Sequence, residues 1–261
     1  MKSWKLNWIK NEAFDLSEYK KHKRELKSPL DFYLAVLAKA IPNFWKKPIR
    51  LRLRKGGEFK VVDFMTLYIY KEIFVDQCYD FPVLGESPTI IDIGANTGLF
   101  GIRMKQLYPN SKIYCFEPFP PNNGQLQENI KQSGFKGISV FQNGVGGKTR
   151  TEKLFIHKTN VGGHSIIKSE TGSEEYEEIE IISLKDIFKN QGLTTCSLVK
   201  LDCEGAEYEI IKSIDNELAN SIDKIVFEPT RSLYDVQELR QHLVTLGFLF
   251  EDKGICYAYK N

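Results

Sequence analysis

The chain of 261 residues lacks the features that mark several special classes of protein. No apolar run reaches the roughly 18 residues of a membrane-spanning helix. The run at residues 32–41 comes closest, and Lys39 interrupts it. Cysteine is scarce, and its five residues are scattered without a C-x-x-C pair, which argues against a disulfide framework or a zinc knuckle. The N-terminus has no apolar secretory segment, so we expect a cytoplasmic protein without a membrane partner.

Acidic and basic residues nearly balance over the whole chain, but they are unevenly distributed. The net charge is +2, yet residues 1–60 contain 16 Lys and Arg against 6 Asp and Glu. A basic arm of this kind can bind nucleic acid or another anionic surface. It lacks the aromatic or Gly-Arg interleaving of a single-strand binder. We therefore favour a solvated basic face and do not expect nucleic acid as a partner.

The first 82 residues are predicted to form a helical and hairpin extension. Residues 16–40 have helical spacing broken at Ser28-Pro29, residues 49–62 alternate as a strand–turn–strand hairpin, and residues 63–78 have the aromatic-rich spacing of another helix. The loop that follows contains Pro82, Gly85 and Pro88. We place the boundary here, with an extension at residues 1–82 and a second domain at residues 83–261.

From residue 89 onward the pattern alternates between strand and helix, which is typical of a parallel α/β sheet. The predicted strands of the sheet are residues 89–94, 112–117, 138–142, 198–202 and 224–228, with an inserted antiparallel pair at 153–158 and 178–183. Residues 248–252 and 255–259 close the sheet with an antiparallel hairpin. A Rossmann-like sheet of seven mostly parallel strands that ends in such a hairpin is the layout of class I methyltransferases.

The most informative motif is the glycine turn after the first of these strands, Ile-Asp-Ile-Gly-Ala-Asn-Thr-Gly-Leu-Phe. Its cofactor-binding candidates are Asp92, Gly94, Asn96 and Gly98. Asp92 stands where a dinucleotide-binding turn has its first glycine, and a carboxylate there repels a pyrophosphate. It suits a ligand with positive charge and hydroxyls, such as S-adenosylmethionine. A βα turn with a purely structural role is the alternative.

The ends of the next two strands supply three further cofactor-binding candidates. Glu117 ends the second strand, where a carboxylate accepts hydrogen bonds from ribose hydroxyls. Phe119 either stacks on an adenine or packs in the core. Asn143, within Gln-Asn-Gly-Val-Gly, either offers its amide to the adenine edge or forms a turn.

Charged residues cluster at the end of the fourth strand, within Lys-Leu-Asp-Cys-Glu-Gly-Ala-Glu. Lys200, Asp202 and Glu204 must be paired or face a ligand there, because the strand is central. The alternative is an ion pair between Lys200 and Asp202 that only fixes the loop, and such a pair is compatible with a role in the site. Glu228 and Asp202 are thin grounds for a magnesium site, so we predict no metal. His164, in a glycine-flanked loop, has an ordinary pKa that suits a general base, or it is a solvent-exposed loop histidine.

Together, the glycine turn, the Phe-Glu-Pro after the second strand, the Gly-Gly-His-Ser loop and Val-Lys-Leu-Asp-Cys-Glu-Gly-Ala-Glu resemble the FkbM family of S-adenosylmethionine-dependent methyltransferases. The resemblance spans roughly residues 65–250. It implies methylation of a hydroxyl on a small molecule, often a sugar or a polyketide. By motif position, Asp92, Gly94, Asn96 and Glu117 hold the cofactor, and Asp202 and Glu204 lie near the transferred methyl.

The expected reaction is direct displacement, in which the acceptor oxygen attacks the sulfonium methyl. Either His164 or Asp202 takes the hydroxyl proton, with Lys200 orienting Asp202. The Asn-Pro-Pro-Tyr type of tetrad that amino-methylating enzymes carry is absent after the fourth strand, which favours an oxygen acceptor. The alternatives are a non-catalytic cofactor- or glycan-binding protein, an NAD-linked oxidoreductase that Asp92 disfavours, and a nucleic-acid methyltransferase guided by the basic arm. A homo-oligomer is compatible with the sequence, which does not identify the acceptor.

Overall fold

The computed structural model describes residue 8 and residues 16–40, 45–83, 85–157 and 164–260. In these residues, helices flank a central sheet. In chain order they are Leu16–Glu25 (α1), Pro29–Ala40 (α2), Phe64–Tyr70 (α3), Leu99–Leu107 (α4), Pro120–Ser133 (α5), Lys168–Thr171 (α6), Leu184–Gln191 (α7), Glu207–Lys212 (α8), Asn216–Asn220 (α9) and Val236–Thr245 (α10). No helix of the described segments is both long enough and apolar enough to cross a membrane.

Twelve strands are described, and seven of them form the central sheet. In chain order they are Ile49–Arg52 (β1), Glu58–Val61 (β2), Thr89–Ile93 (β3), Lys112–Phe116 (β4), Ile138–Phe141 (β5), Gly144–Gly146 (β6), Arg150–Phe155 (β7), Tyr176–Ser183 (β8), Leu198–Leu201 (β9), Lys224–Phe227 (β10), Leu249–Lys253 (β11) and Ile255–Tyr259 (β12). The strand order of the large sheet is β11-β12-β10-β9-β3-β4-β5.

The large sheet confirms the predicted fold class. Strands β5, β4, β3, β9 and β10 pair in parallel, while β12 pairs antiparallel with both β10 and β11. The strand order reverses at β3, because β4 lies on one side of it and β9 on the other. Ligands of such sheets bind outside the carboxyl ends of the strands, at the point where the order reverses. This sheet therefore places the ends of β3, β4 and β9 next to one another.

The extension packs against the sheet through a shared apolar core. Buried side chains from the extension, such as Phe59 and Phe74, belong to the same cluster as Ile90 of β3 and Leu198 of β9. Arg103 of α4, itself buried, pairs with Glu25 and Asp80 and so adds a charged link. The boundary at residue 82 remains a prediction, but the two parts are joined by one continuous core.

The helix predicted at residues 63–78 differs in its second half. The α-helical part ends at Tyr70, and Lys71–Val75 form a π-helical turn. The backbone N–H of Asp76 donates to the carbonyl of Lys71, five residues earlier. Hydrophobic spacing predicts that a helix is present but does not distinguish the wider turn, and wider turns of this kind are frequent at functional sites.

A second, smaller sheet has the order β6-β8-β7. The predicted antiparallel pair is β7 with β8, although β7 begins earlier than expected and the end of its predicted range, Lys158, lies outside the described residues. The sequence reasoning missed two elements here. Strand β6 is a three-residue segment that pairs in parallel with β8, and helix α7 begins directly after Ser183, whose hydroxyl accepts a hydrogen bond from the backbone N–H of Asp186.

Candidate active site

A cavity of about 910 Å³ opens at the carboxyl ends of β3, β4, β9 and β10. Its walls come from the turn after β3, the segments after β4 and β9, and one side of the extension. Seven of the residues predicted for the site line it: Gly94, Asn96, Glu117, His164, Lys200, Asp202 and Glu204. The four others, Asp92, Gly98, Phe119 and Asn143, are not among the lining residues.

Gly94 fixes how closely the turn after β3 approaches the end of β9. Its φ angle is +71°, and a Cβ atom built on it would lie 1.8 Å from the carbonyl oxygen of Asp202. No side chain fits at that distance, and a positive φ is also unfavourable for any residue with a Cβ. The glycine therefore brings two backbone segments into contact at the cavity floor.

Lys200 is held between two carboxylates beneath the cavity. Its register places it beside Asp92 on the neighbouring strand, and its ammonium lies 3.3 Å from Asp92 Oδ1 and 3.2 Å from Asp202 Oδ2. It also donates to the carbonyl of Gly94 at 3.0 Å. Burial opposes the charge of Lys200, but the two carboxylates outweigh burial and raise its pKa. Lys200 thus holds the Asp202 carboxylate in an ion pair, and its role in orienting Asp202 for a reaction stays a prediction.

Asp92 lies behind Lys200 instead of on the cavity wall. It is completely buried, and burial raises the pKa of its carboxyl although Lys200 lowers it. The argument from the sequence treated this carboxylate as facing the ligand. In the structure its charge acts on the site through Lys200, because that ammonium stands between Asp92 and the cavity.

Glu117 follows β4 and is held in place by two backbone N–H groups. It is buried, and its two oxygens accept the backbone N–H groups of Asn96 at 2.9 Å and Phe119 at 3.0 Å. Asn96 adopts a φ of +47°, which turns this N–H toward the carboxylate. Burial raises the pKa of Glu117 to about 7, while the two N–H donors lower it. A carboxylate has about four lone-pair sites, so two remain for ligand hydroxyls.

Four carboxylates line the cavity as a group, since Glu72 and Glu228 lie close enough to Asp202 and Glu204 to influence their charges. Burial, followed by the charges of neighbouring carboxylates, raises the pKa of Glu72 to about 8 and that of Glu204 to about 8. Burial and Asp202 also raise the pKa of Glu228, whose Oε2 accepts the hydroxyl of Tyr79 at 3.0 Å. This region is suited to ligand cations and hydroxyl donors.

His164 lines the cavity, but it is not an ordinary loop histidine. Burial, together with His157, lowers its pKa to about 4. Its Nδ1 accepts the backbone N–H of His157 at 3.1 Å, and its Nε2 is buried without a hydrogen-bond partner among the residues that the structure describes. The residue is therefore neutral at physiological pH and a weak base. The glycines that precede it lie outside the described residues.

Three of the predicted cofactor contacts have local structural roles. Gly98 is the N-cap residue directly before α4, with a φ of +85°. The Phe119 ring packs on His164, with ring centroids 4.1 Å apart. The Asn143 amide reaches the carbonyl of Glu180 at 3.5 Å, beside β6. Asn122, which the sequence reasoning did not select, contributes an amide to the cavity wall.

The extension supplies one wall of the cavity, through residues that the sequence reasoning did not select individually: it left open whether the aromatic-rich segment 59–81 packs against a sugar or against a second subunit. Met65, Tyr68, Ile69 and Glu72 lie at positions i, i+3, i+4 and i+7 and line the cavity together with Tyr79. That spacing places the four on one helix face. A carboxylate on an otherwise apolar face was the available signal. Within the described segments, no group of three or more His, Cys, Asp or Glu residues is arranged to hold a metal ion.

Comparisons with known proteins identify the family to which the chain belongs. The family model of the methyltransferase FkbM domain matches residues 92–250. Methyltransferase sdnD of Sordaria araneosa is 32% identical over 217 residues, which cover 72% of this chain and 81% of that protein. The 2-O-methyltransferase NoeI of Sinorhizobium fredii is 27% identical over 48% of this chain and 56% of its own length. The crystal structure of methyltransferase FkbM from Methylobacillus flagellatus superimposes with a TM-score of 0.51 at 12% identity, over 98% of this chain and 60% of that one, which supports the fold.

Proposed function

The chain belongs to the FkbM family of methyltransferases, and we propose that it transfers the methyl group of S-adenosylmethionine to a hydroxyl of a small molecule. The acceptor class that we propose is a sugar or a polyketide-type natural product. The name of one relative, a 2-O-methyltransferase, supports an oxygen acceptor.

The observation that carries the cofactor assignment is the anchoring of Glu117. Two backbone N–H groups hold its carboxylate at the end of β4, on the cavity wall. The remaining lone pairs can accept both hydroxyls of a ribose. A carboxylate at this position binds ribose hydroxyls in related open sheets. Gly94 and Asn96 of the neighbouring turn line the same cavity, so the residues present fit the cofactor.

The bound cofactor would supply an electrophilic methyl group on a sulfonium. The protein then has to align the acceptor and exclude water, a contribution of about 7–11 kcal/mol in well-oriented reactions. Asp202, fixed by Lys200 at 3.2 Å, orients the acceptor hydroxyl. We assign the proton to Glu204, which lines the cavity beside Asp202 and whose pKa, raised by burial to about 8, makes its ionised form a stronger base than His164, whose pKa is about 4.

Ligand-induced stabilisation tests the cofactor assignment. We expect S-adenosylmethionine and S-adenosylhomocysteine, each at 100 times its Kd, to add about 2.7 kcal/mol to the free energy of unfolding. For a chain of this size that is a Tm rise of roughly 5–10 °C. NAD should produce no shift. A shift with NAD alone would replace the proposal with the oxidoreductase alternative.

Glu117→Gln sharpens this test, and Glu217→Gln, on the surface, is its control. Glu117→Gln should lose the Tm shift, because a side-chain amide cannot accept hydrogen bonds from two ribose hydroxyls while it also accepts both backbone N–H groups. Glu217→Gln should keep the shift. In the wild type, affinity should be present above pH 7 and fall as the pH drops through the raised pKa of Glu117. Affinity that the substitution leaves unchanged would contradict the ribose assignment.

Methyl transfer to a panel of hydroxylated sugars and polyketides tests the reaction. Glu204→Gln should lower kcat while the affinity for S-adenosylhomocysteine stays unchanged, since the residue acts on the acceptor. It should also remove the rise of kcat with pH that ionisation of Glu204 causes in the wild type. A variant with unaltered kcat and pH profile would show that another group takes the proton.

A further inference from the structure

Helix α2 has an unusual distribution of polar and apolar residues. Its only exposed residues are leucines: Leu30, Leu34 and Leu37 are 64%, 60% and 56% accessible. They follow one another at i, i+4 and i+7, so they form a single stripe. The opposite side, with Phe32 and Val36, is buried in the core. A helix that is apolar on both sides normally has both sides covered.

The cation of this helix points away from solvent. Lys39 is buried and donates to the carbonyls of Trp45 and Lys47, at 3.0 Å each. Burial lowers the pKa of Lys39. These two bonds hold residues 45–47 beside the C-terminal end of α2. Trp45 is half exposed there, and we call Leu30, Leu34, Leu37 and Trp45 the leucine face.

Exposed positive charge surrounds the leucine face. Lys27 precedes α2, and Lys46 and Lys47 follow Trp45, all three exposed. The acid of the helix, Asp31, is partly buried. Leucines on one face, a tryptophan at its end and flanking lysines form the pattern of helices that lie in a membrane interface. Each lysine near an anionic lipid surface contributes additional attraction.

We propose that the leucine face docks α2 flat onto an anionic lipid surface. A second copy of the chain is a poorer partner, because a two-fold contact through this face would bring like charges together. Ala40, at the end of α2, lines the cavity, so docking would place the cavity beside the lipid. The proposal concerns peripheral attachment and does not depend on the proposed reaction. It departs from the sequence-based expectation that there is no membrane partner.

Co-sedimentation with vesicles tests the docking. We expect the full chain to pellet with vesicles of equal parts phosphatidylcholine and phosphatidylglycerol, and much less with phosphatidylcholine alone. Leu34→Ser with Leu37→Ser should abolish pelleting. The control pair, Val244→Ser with Leu249→Ser, removes exposed apolar side chains elsewhere and should leave pelleting unchanged.

A charge variant separates the electrostatic part. Lys46→Gln with Lys47→Gln should weaken binding to the mixed vesicles about thirtyfold. A wild-type chain that stays in the supernatant would overturn the proposal. The same result is expected if another part of the chain covers the leucine face. Equal pelleting of the leucine pair and its control would overturn it as well. A concentration-dependent dimer that only the leucine pair abolishes would assign the face to a second copy.

Discussion

Replacing Lys200 by methionine tests whether the buried charge cluster stabilises the site. Methionine keeps much of the aliphatic length but removes the ammonium that faces Asp92 at 3.3 Å. Asp92 is completely buried, so its carboxylate loses the one cation that faces it in the described structure. Removing one partner of a buried ion pair costs about 3–5 kcal/mol, because the other charge is left uncompensated. For a chain of this size that is a Tm decrease of roughly 6–20 °C.

The penalty should depend on pH in a defined direction. Burial already raises the pKa of Asp92, and the loss of Lys200 raises it further. A carboxyl group whose pKa is raised by folding favours the folded state at low pH, and this contribution is lost as the pH rises toward the folded pKa. Lys200→Met should therefore be closest to the wild type in acid and fall further below it as the pH rises.

Chemical denaturation at several pH values measures both effects, with Lys185→Met as the control. Lys185 also lies between two carboxylates, Asp215 at 3.2 Å and Glu217 at 3.4 Å, but on the surface. That variant should change the free energy of unfolding by no more than about 0.5 kcal/mol. Adding Asp92→Asn to Lys200→Met should restore part of the loss. Equal free energies of unfolding for Lys200→Met and Lys185→Met would refute the argument that the buried charge cluster stabilises the site.

Two further substitutions follow from the cavity geometry. Gly94→Ala should abolish stabilisation by S-adenosylhomocysteine, since its Cβ would lie 1.8 Å from the carbonyl oxygen of Asp202. Gly85→Ala, also at positive φ but with no atom within 4 Å, should retain it in the same thermal assay, and parallel losses would contradict the close-approach argument. Glu72→Gln should gain stability relative to the wild type as the pH rises from 5 to about 8, because burial raises the pKa of Glu72 to about 8 and its ionisation opposes folding. A difference in free energy of unfolding between Glu72→Gln and the wild type that stays constant across this pH range would show that ionisation of Glu72 does not oppose folding.

The sequence predicts the central sheet well because short apolar runs end in polar motifs at regular intervals. The strands near Gly94, Glu117 and Asp202 were located to within one residue. Neighbouring strand ends contact one another there, since Glu117 accepts the N–H of Asn96 and Gly94 packs against the carbonyl of Asp202. Such contacts follow from parallel pairing, which brings strand ends to one edge.

Features that depend on packing between distant segments were not predictable in the same way. The glycine-turn motif placed Asp92 beside the turn, but only the pairing of β3 with β9 shows that Lys200 covers it. The three residues of β6 have no periodicity of their own, and their strand conformation depends on β8. Glu72 faces the cavity because the whole extension folds over the sheet. These outcomes are tertiary, and local propensity does not encode them.

The position of Tyr68, Glu72 and Tyr79 on the cavity wall separates two tasks along the chain. They precede residue 92, where the match to the family begins, whereas Glu117 and Asp202 lie within it. Under the proposed function, the residues that bind the methyl donor and those that act on the acceptor hydroxyl lie within the family match, whereas the preceding stretch supplies a separate wall for the rest of the acceptor. Selectivity for a new acceptor could be evolved by varying that preceding stretch alone, with the donor pocket inherited intact.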